Sequence, residues 1–149
     1  MATPTRRSVN HQYFVRAKPD AVFRAITDPK WLTRWLCDRA VLVPQKGSKY
    51  LLGWNNGPTH TGSIVAFREG QRVALAWTWP GVELRGTVLS LSVKATEGGT
   101  VLDVEHSGFP RSEKWTDIYG GAEWGWTYFA MNLKSVLEHG HDLRSELDG

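Results

Sequence analysis

The chain opens with an alternation of apolar and polar residues at period two. Between residues 9 and 17, the side chains of Val9, His11, Tyr13, Val15 and Ala17 fall on one face. Such alternation is typical of a strand with one buried face. We therefore predict that the fold begins with a β-strand.

Two short helices are predicted next. Pro19 suits the first turn of a helix, and the charge of Asp20 is favourable beside it, so a helix is expected from there to about Thr27. Asp28 and Pro29 are residue types of an N-cap and a first helical position, which predicts a second helix. The apolar stripes at helical spacing are Val22, Phe23 and Ile26, then Trp31, Leu32, Trp35 and Leu36.

Residues 38–109 alternate β-branched and aromatic runs with turn signals, which predicts an antiparallel meander of six strands. The turn signals are Lys46-Gly47-Ser48, Asn56-Gly57-Pro58, Glu69-Gly70, Pro80-Gly81 and Glu97-Gly98-Gly99.

Period two assigns the faces of three strands in this meander. The inner face is expected to carry Val73, Leu75, Trp77 and Trp79, then Leu89, Leu91 and Val93, then Leu102, Val104 and His106. The outer face is expected to carry Glu83, Arg85, Asp103 and Glu105. Because the alternation breaks near Gly86, a bulge or register shift is predicted there.

A long helix is predicted from Ser112 to Glu138, and at 1.5 Å per residue it would span about 40 Å, enough to cross the sheet. Gly120-Gly121 is its expected weak point, where the first turns could fray or hinge. Its apolar stripe comprises Ile118, Ala122, Trp126, Phe129, Leu133, Val136 and Leu137.

Composition narrows the class of protein. A chain of 149 residues fits one domain, and its mean hydropathy of −0.36 comes without an apolar run near the ~20 residues that span a membrane. Met1–Ser8 lacks an apolar signal core, so a cytoplasmic location and no membrane partner are expected. Cys37 is the lone cysteine, which excludes an internal disulfide, and an ordinary buried thiol is expected there. The net charge of +3 is scattered, so nucleic acid is not an expected partner.

Four segments, in their order along the chain, resemble a known family. They are Ala17–Pro29 with Trp35, the strand Gly62-Ser63-Ile64-Val65, Gly99–Gly108, and Gly125-Trp126 followed by Leu133 and Leu137. This arrangement resembles the START-like (SRPBCC) superfamily, and within it the AHSA1-like branch, named after the activator of Hsp90 ATPase. The likeness extends from about Ser8 to His139.

The resemblance implies an α+β helix-grip (START/Bet v 1-like) fold. Its expected parts are a seven-stranded curved antiparallel sheet, two short helices and one long C-terminal helix. A single START-like domain is expected over residues 8–140, with tails at 1–7 and 141–149.

The superfamily also implies an apolar cavity between sheet and helix that takes small hydrophobic molecules. Some AHSA1-like proteins resemble sequestering proteins for enediyne antibiotics, and others act in cyclase or aromatase chemistry. The Hsp90 activator has a separate chaperone-binding domain without a counterpart in these 149 residues, so Hsp90 is not the expected partner. A homodimer is left open, with Trp54 and Trp124 as candidates for a partly exposed dimer surface.

Eight tryptophans exceed what a core of this size needs, which indicates either a bulky core or an aromatic-lined pocket. If there is a pocket, Trp77 and Trp79 would face Trp126 and Phe129 across it. Tyr50 and Trp54 are further candidates for polar contacts. The full set of expected ligand-binding residues is Tyr13, Trp35, Trp77, Trp79, His106, Tyr119, Ala122, Trp126 and Phe129.

His106 shares the inner face of its strand, where it could act as an acid or base or be a hydrogen-bonded structural residue. His139-Gly140-His141 is the one close histidine pair and is expected to be solvated, so we predict no metal site. Since no motif supplies phosphate-binding amides or a complete ligand set, no other cofactor is expected.

Three functions follow from these observations. The first is binding of a small hydrophobic, aromatic ligand for sequestration, transport or protection. The second is a cyclase or aromatase in which His106 moves protons with Tyr13 or Tyr119. The third is a co-chaperone-like partner of Hsp90.

Overall fold

The structure is a computed structural model that describes residues 6–79, 81 and 86–146. Ten helices and strands follow along the described chain, with 3₁₀ turns at Glu113–Trp115 and Leu143–Glu146. These ten are β1 (Arg6–Val15), α1 (Pro19–Thr27), α2 (Pro29–Trp35), β2 (Arg39–Leu42), β3 (Lys49–Gly53), β4 (Thr59–Arg68), β5 (Arg72–Trp77), β6 (Thr87–Thr96), β7 (Gly99–Pro110) and α3 (Thr116–His139).

The strands form one antiparallel sheet in the order β1-β7-β6-β5-β4-β3-β2. Each strand of the meander from β2 to β7 therefore pairs with its neighbour in sequence, and β1 pairs with β7 as an edge strand of the sheet. Two short helices precede the meander and the long α3 follows it. The predicted α+β helix-grip architecture is confirmed.

The two short helices begin as the sequence predicts. Pro19 lies in the first turn of α1, and Asp28 Oδ1 accepts a hydrogen bond from Lys30 N at 2.9 Å at the start of α2. Trp35 is buried and donates its indole N–H to Ala25 O at 2.8 Å, which joins the two helices.

The predicted inner face of the sheet is buried throughout β5, β6 and β7, from Val73 to His106. Glu83 and Arg85, expected on the outer face, lie outside the described residues, as does Pro80. The register shifts that the structure describes lie between Arg7 and Val9 and between Ile64 and Ala66, whereas the one predicted near Gly86 adjoins residues 82–85, which lie outside the described residues.

Helix α3 begins four residues later than predicted, after a 3₁₀ turn, and continues through Gly120-Gly121 without interruption. Its second half is bonded to the end of β1: Lys134 Nζ donates to Phe14 O at 2.7 Å, and Glu138 accepts from Arg16 N at 3.0 Å. Among the described residues no helix, α3 included, has the length and apolar character needed to cross a membrane.

The segment after α3 was expected to be a tail, but residues 141–146 are bonded to the fold. Asn132 on α3 is fully buried, donates to Trp35 O and Asp142 Oδ1, and accepts from Leu143 N at 2.7 Å. Arg144 reaches back to Thr33 O at 2.9 Å. At the other end, residues 6 and 7 belong to β1 rather than to a tail.

The ladder between β4 and β5 ends at the pair Ile64 and Leu75, and beyond it a side chain of β3 is hydrogen-bonded to β5. Tyr50 donates its hydroxyl to Ala76 O at 2.7 Å. Gly62 on β4 lies beside this bond, where a Cβ would collide with Ala76 O and come within 3.2 Å of the Tyr50 hydroxyl. The close approach of the Ala76 carbonyl therefore requires a glycine at position 62.

We expect Gly62→Ala to destabilise the protein by about 1–3 kcal/mol, because the backbone carbonyl it meets has little freedom to move. Gly120→Ala is the matched control, since a Cβ there meets nothing within 4 Å. A helical alanine in its place should stabilise by up to about 1 kcal/mol. Urea unfolding of both variants measures the two signs, and equal stability of wild type and Gly62→Ala would contradict the steric argument.

Candidate ligand-binding cavity

A cavity of about 790 Å³ lies between the first half of α3, the end of β5 and the hairpin that joins β3 to β4. This volume falls within the range of pockets that hold drug-sized molecules. The lining residues are Trp77, Trp79 and His60 from the sheet side, Trp54, Asn55, Asn56, Gly57 and Pro58 from the hairpin, Ile118, Gly121, Ala122, Gly125, Trp126, Tyr128 and Phe129 from α3, and Leu36, Asp38, Asp142, Arg144 and Ser145 at the remaining side.

The aromatic walls of the cavity contact one another across different elements. Trp77 meets Trp126 edge to face, with ring centroids 5.4 Å apart, and Trp54 lies 6.1 Å from Phe129. Tilted and edge-to-face contacts of this kind are favourable aromatic geometries. The walls are therefore packed in place before any ligand enters.

Trp54 belongs to the cavity and not to an outer surface. The Asn56-Gly57 turn brings it back toward the end of α2, where its indole N–H donates to Leu36 O at 2.8 Å. The hairpin is held further by Asn55 N, which donates to Asp38 at 2.8 Å. Trp124, by contrast, is 70% exposed, so it remains the candidate for a dimer surface.

His60 is a cavity residue that the sequence analysis did not single out. Its Nδ1 is hydrogen-bonded to Thr78 O, and since a carbonyl only accepts, the proton of the neutral ring lies on Nδ1. The ring packs against Trp77, with centroids 4.5 Å apart. Burial lowers the pKa of His60 below its ordinary value, against a smaller opposing effect of the Thr78 bond, so the ring is neutral at pH 7.

His106 is fully buried and hydrogen-bonded to α3. The indole N–H of Trp126 donates to His106 Nδ1 at 2.9 Å, which places the proton of the neutral ring on Nε2. Trp79 stacks on the imidazole at 5.5 Å with an interplanar angle of 4°. Burial, followed by the charge that His60 would carry, lowers the pKa of His106 to about 3.

No hydrogen bond between described residues joins His106 to Tyr13 or Tyr119, its proposed partners in proton transfer. Tyr119 donates its hydroxyl to Ser8 O at 3.1 Å and lies under the guanidinium of Arg7, on the β1 side of α3. Tyr13 lies beside His11, with ring centroids 6.3 Å apart.

Five of the nine expected ligand-binding residues line the cavity, namely Trp77, Trp79, Ala122, Trp126 and Phe129. Tyr13, Trp35, His106 and Tyr119 do not line it. Tyr13 lies on β1 and Tyr119 is hydrogen-bonded to that strand, whereas Trp35 and His106 are buried in the core.

The family described as Activator of Hsp90 ATPase homolog 1-like protein matches residues 16–138 of the chain. The chain belongs to this family. The resemblance to the AHSA1-like branch is thereby confirmed. Among curated proteins none matches the chain.

Solved structures share the fold of this AHSA1-like protein. The protein MLL2253 from Mesorhizobium loti is 25% identical with a TM-score of 0.81, over 91% of this chain and 99% of that one. The Aha1 dimer from Colwellia psychrerythraea is 22% identical with a TM-score of 0.79, over 90% and 98%. DynU16, from the dynemicin biosynthetic locus, is 21% identical with a TM-score of 0.79, over 89% of this chain and 48% of its own.

The polar side of the cavity comes from the segment after α3. Arg144 and Asp142 form an ion pair at 2.9 Å, and Arg144 also donates to Cys37 O at 3.0 Å. Burial alone would raise the pKa of Asp142, but hydrogen bonds from Arg144 and Asn132 outweigh it and lower that pKa. Sequence reasoning missed this side because the polar residues after Gly140 read as a solvated end.

The lone cysteine and the histidine pair after α3 were the other candidates for reactive or metal-binding groups in this AHSA1-like protein. Cys37 is buried, and burial raises the pKa of its thiol to about 12, which leaves it unreactive at neutral pH. In the described part of the chain, no three His, Cys, Asp or Glu side chains are grouped so that they could hold a metal ion. His141 instead pairs with Glu146 at 2.8 Å.

We expect the free energy of unfolding to fall as the pH drops below about 6.5. The unfolded chain takes up a proton on His106 near its ordinary pKa, whereas the folded chain does so only near pH 3. Each such group contributes a slope of up to about 1.4 kcal/mol per pH unit in that window, and His60 adds in the same direction.

His106→Asn tests this origin, because its side-chain oxygen can still accept from Trp126 while the residue no longer titrates. The variant should be less stable at pH 7 but show a flatter dependence between pH 6.5 and 4.5. Urea unfolding at several pH values measures both, and a slope unchanged from wild type would rule out His106 as the titrating group.

Proposed function

We propose that this protein binds a small, flat aromatic molecule in the cavity between α3 and the hairpin, and thereby sequesters, transports or protects it. The carrying observation is a cavity of about 790 Å³ whose walls include Trp54, Trp77, Trp79 and Trp126. Aromatic side chains supply a large apolar contact area, and each stacked or edge-to-face pair contributes about 0.5–1.5 kcal/mol beyond that area.

The arrangement of polar groups supports the same proposal. Besides Asp38, whose carboxylate accepts a hydrogen bond from Asn55 N at 2.8 Å, the charged residues at the cavity are Asp142 and Arg144, which are paired with each other. A neutral or weakly polar molecule therefore suits the cavity better than an ion. The ligand-binding unit then extends beyond residue 140, because both residues line the cavity.

The relatives add context to the proposal. DynU16 comes from the dynemicin biosynthetic locus, which supports a role for this chain close to the biosynthesis of a natural product. The Colwellia psychrerythraea relative is an Aha1 dimer, which supports a homodimer here.

Filling part of the cavity from α3 should weaken binding without disturbing the core. Gly125 lines the cavity and a Cβ there meets nothing within 4 Å, so Gly125→Leu places its side chain into free space. We expect wild-type tryptophan fluorescence to be quenched saturably by a flat aromatic compound such as flavone or 2-methoxynaphthalene. Gly125→Leu should weaken that binding at least about tenfold, equivalent to about 1.4 kcal/mol.

Gly120→Leu is the matched control, since Gly120 is an exposed glycine of the same helix and does not line the cavity. It should bind as wild type does. Equal weakening by both leucines, or no response of the wild type to any flat aromatic compound, would contradict the proposed function.

A further inference from the structure

His60 places an unused hydrogen-bond acceptor at the cavity. We propose that His60 Nε2 accepts a hydrogen bond from a hydroxyl group on the aromatic ligand, so that the cavity selects phenols over the corresponding ethers and hydrocarbons. The inference rests on the proposed function and deepens it, because it names the chemical class of the ligand.

Two hydrogen bonds fix the orientation of the His60 imidazole. The ladder between β4 and β5 ends at Leu75, and beyond it Thr78 O accepts a hydrogen bond from His60 Nδ1. Thr78 is itself fixed, since its hydroxyl donates to Thr61 O at 2.9 Å. These two bonds across the gap set both the direction and the tautomer of the imidazole.

This tautomer leaves the other ring nitrogen of His60, Nε2, without a proton. With its proton on Nδ1, a neutral imidazole carries a lone pair on Nε2. No hydrogen bond reaches His60 Nε2 from any residue that the structure describes. The side chain is only 6% exposed, between Trp77 at 4.5 Å and the edge of Trp54 at 5.6 Å, so bulk water is largely excluded. A ligand donor that pairs with this acceptor removes the cost of leaving it unpaired.

Two neighbouring polar atoms are already hydrogen-bonded within the protein. The Tyr50 hydroxyl donates to Ala76 O, and His106 Nδ1 accepts from Trp126. The buried ring of His60 stays neutral at pH 7, which preserves the lone pair. A carboxylate ligand offers no proton to it, whereas a phenolic hydroxyl is a good donor on a flat ring.

A matched pair of probes tests the inference: 2-naphthol, which donates a hydrogen bond, and 2-methoxynaphthalene, which does not. Their dissociation constants are measured by tryptophan fluorescence and calorimetry at pH 7.5. We expect wild type to bind 2-naphthol about tenfold more tightly than the ether, the scale of one buried hydrogen bond.

Two substitutions separate the roles of the ring nitrogens. His60→Asn keeps a donor that can reach Thr78 O but has no acceptor at the position of Nε2. It should lose the preference for the naphthol over the ether, whatever its affinity for the ether itself. His60→Gln places its side-chain oxygen near Nε2 and should keep part of that preference.

A measurement on the wild-type protein does not depend on any variant folding. In ¹⁵N spectra the free protein should show His60 protonated on Nδ1, and 2-naphthol, unlike the ether, should shift the Nε2 resonance. Equal affinity of wild type for both probes, a preference retained in His60→Asn, or an unmoved Nε2 resonance overturns this inference and leaves the proposed function standing. Failure of both probes to bind wild type overturns the two together.

Discussion

The hydrogen bond from Trp126 to His106 joins the long helix to β7, between two buried side chains. An indole N–H buried without an acceptor would lose the hydrogen bond that water gives it in the unfolded chain. His106 satisfies it at one position only, so the bond sets the rotation of α3 about its axis. That rotation directs Ala122 and Phe129 toward the hairpin and leaves Tyr119 facing β1.

The same requirement recurs at two other tryptophans. Trp35 donates to Ala25 O and joins α1 to α2, while Trp54 donates to Leu36 O and joins the hairpin to the end of α2. In each case the N–H contacts another element of the fold. Trp54 and Trp126 combine this bond with a contribution to the cavity wall. These two residues therefore hold elements of the fold together and also form part of the surface that a ligand would contact.

Local patterns were enough to predict most of the fold. Strand alternation and helical spacing depend on neighbouring residues, and they identified the inner face of the sheet and the apolar stripe of α3. The cavity depends on hydrogen bonds between residues far apart in sequence. Thr78, eighteen positions away, orients the ring of His60, and Thr33, 111 positions away, holds the guanidinium of Arg144. Nothing in the residues around His60 indicates that β4 and β5 diverge there, so periodicity could not identify it.

Glycines form part of the α3 wall, and the space beside them is empty. At Gly121 and Gly125 an added side chain would enter the cavity without meeting a neighbour, and it would also favour the helix. Along this stretch a side chain can therefore reduce the cavity without lowering the stability of the fold. A lineage carrying this fold could change the size of its ligand through single substitutions on one helix face, with no compensating change in the core.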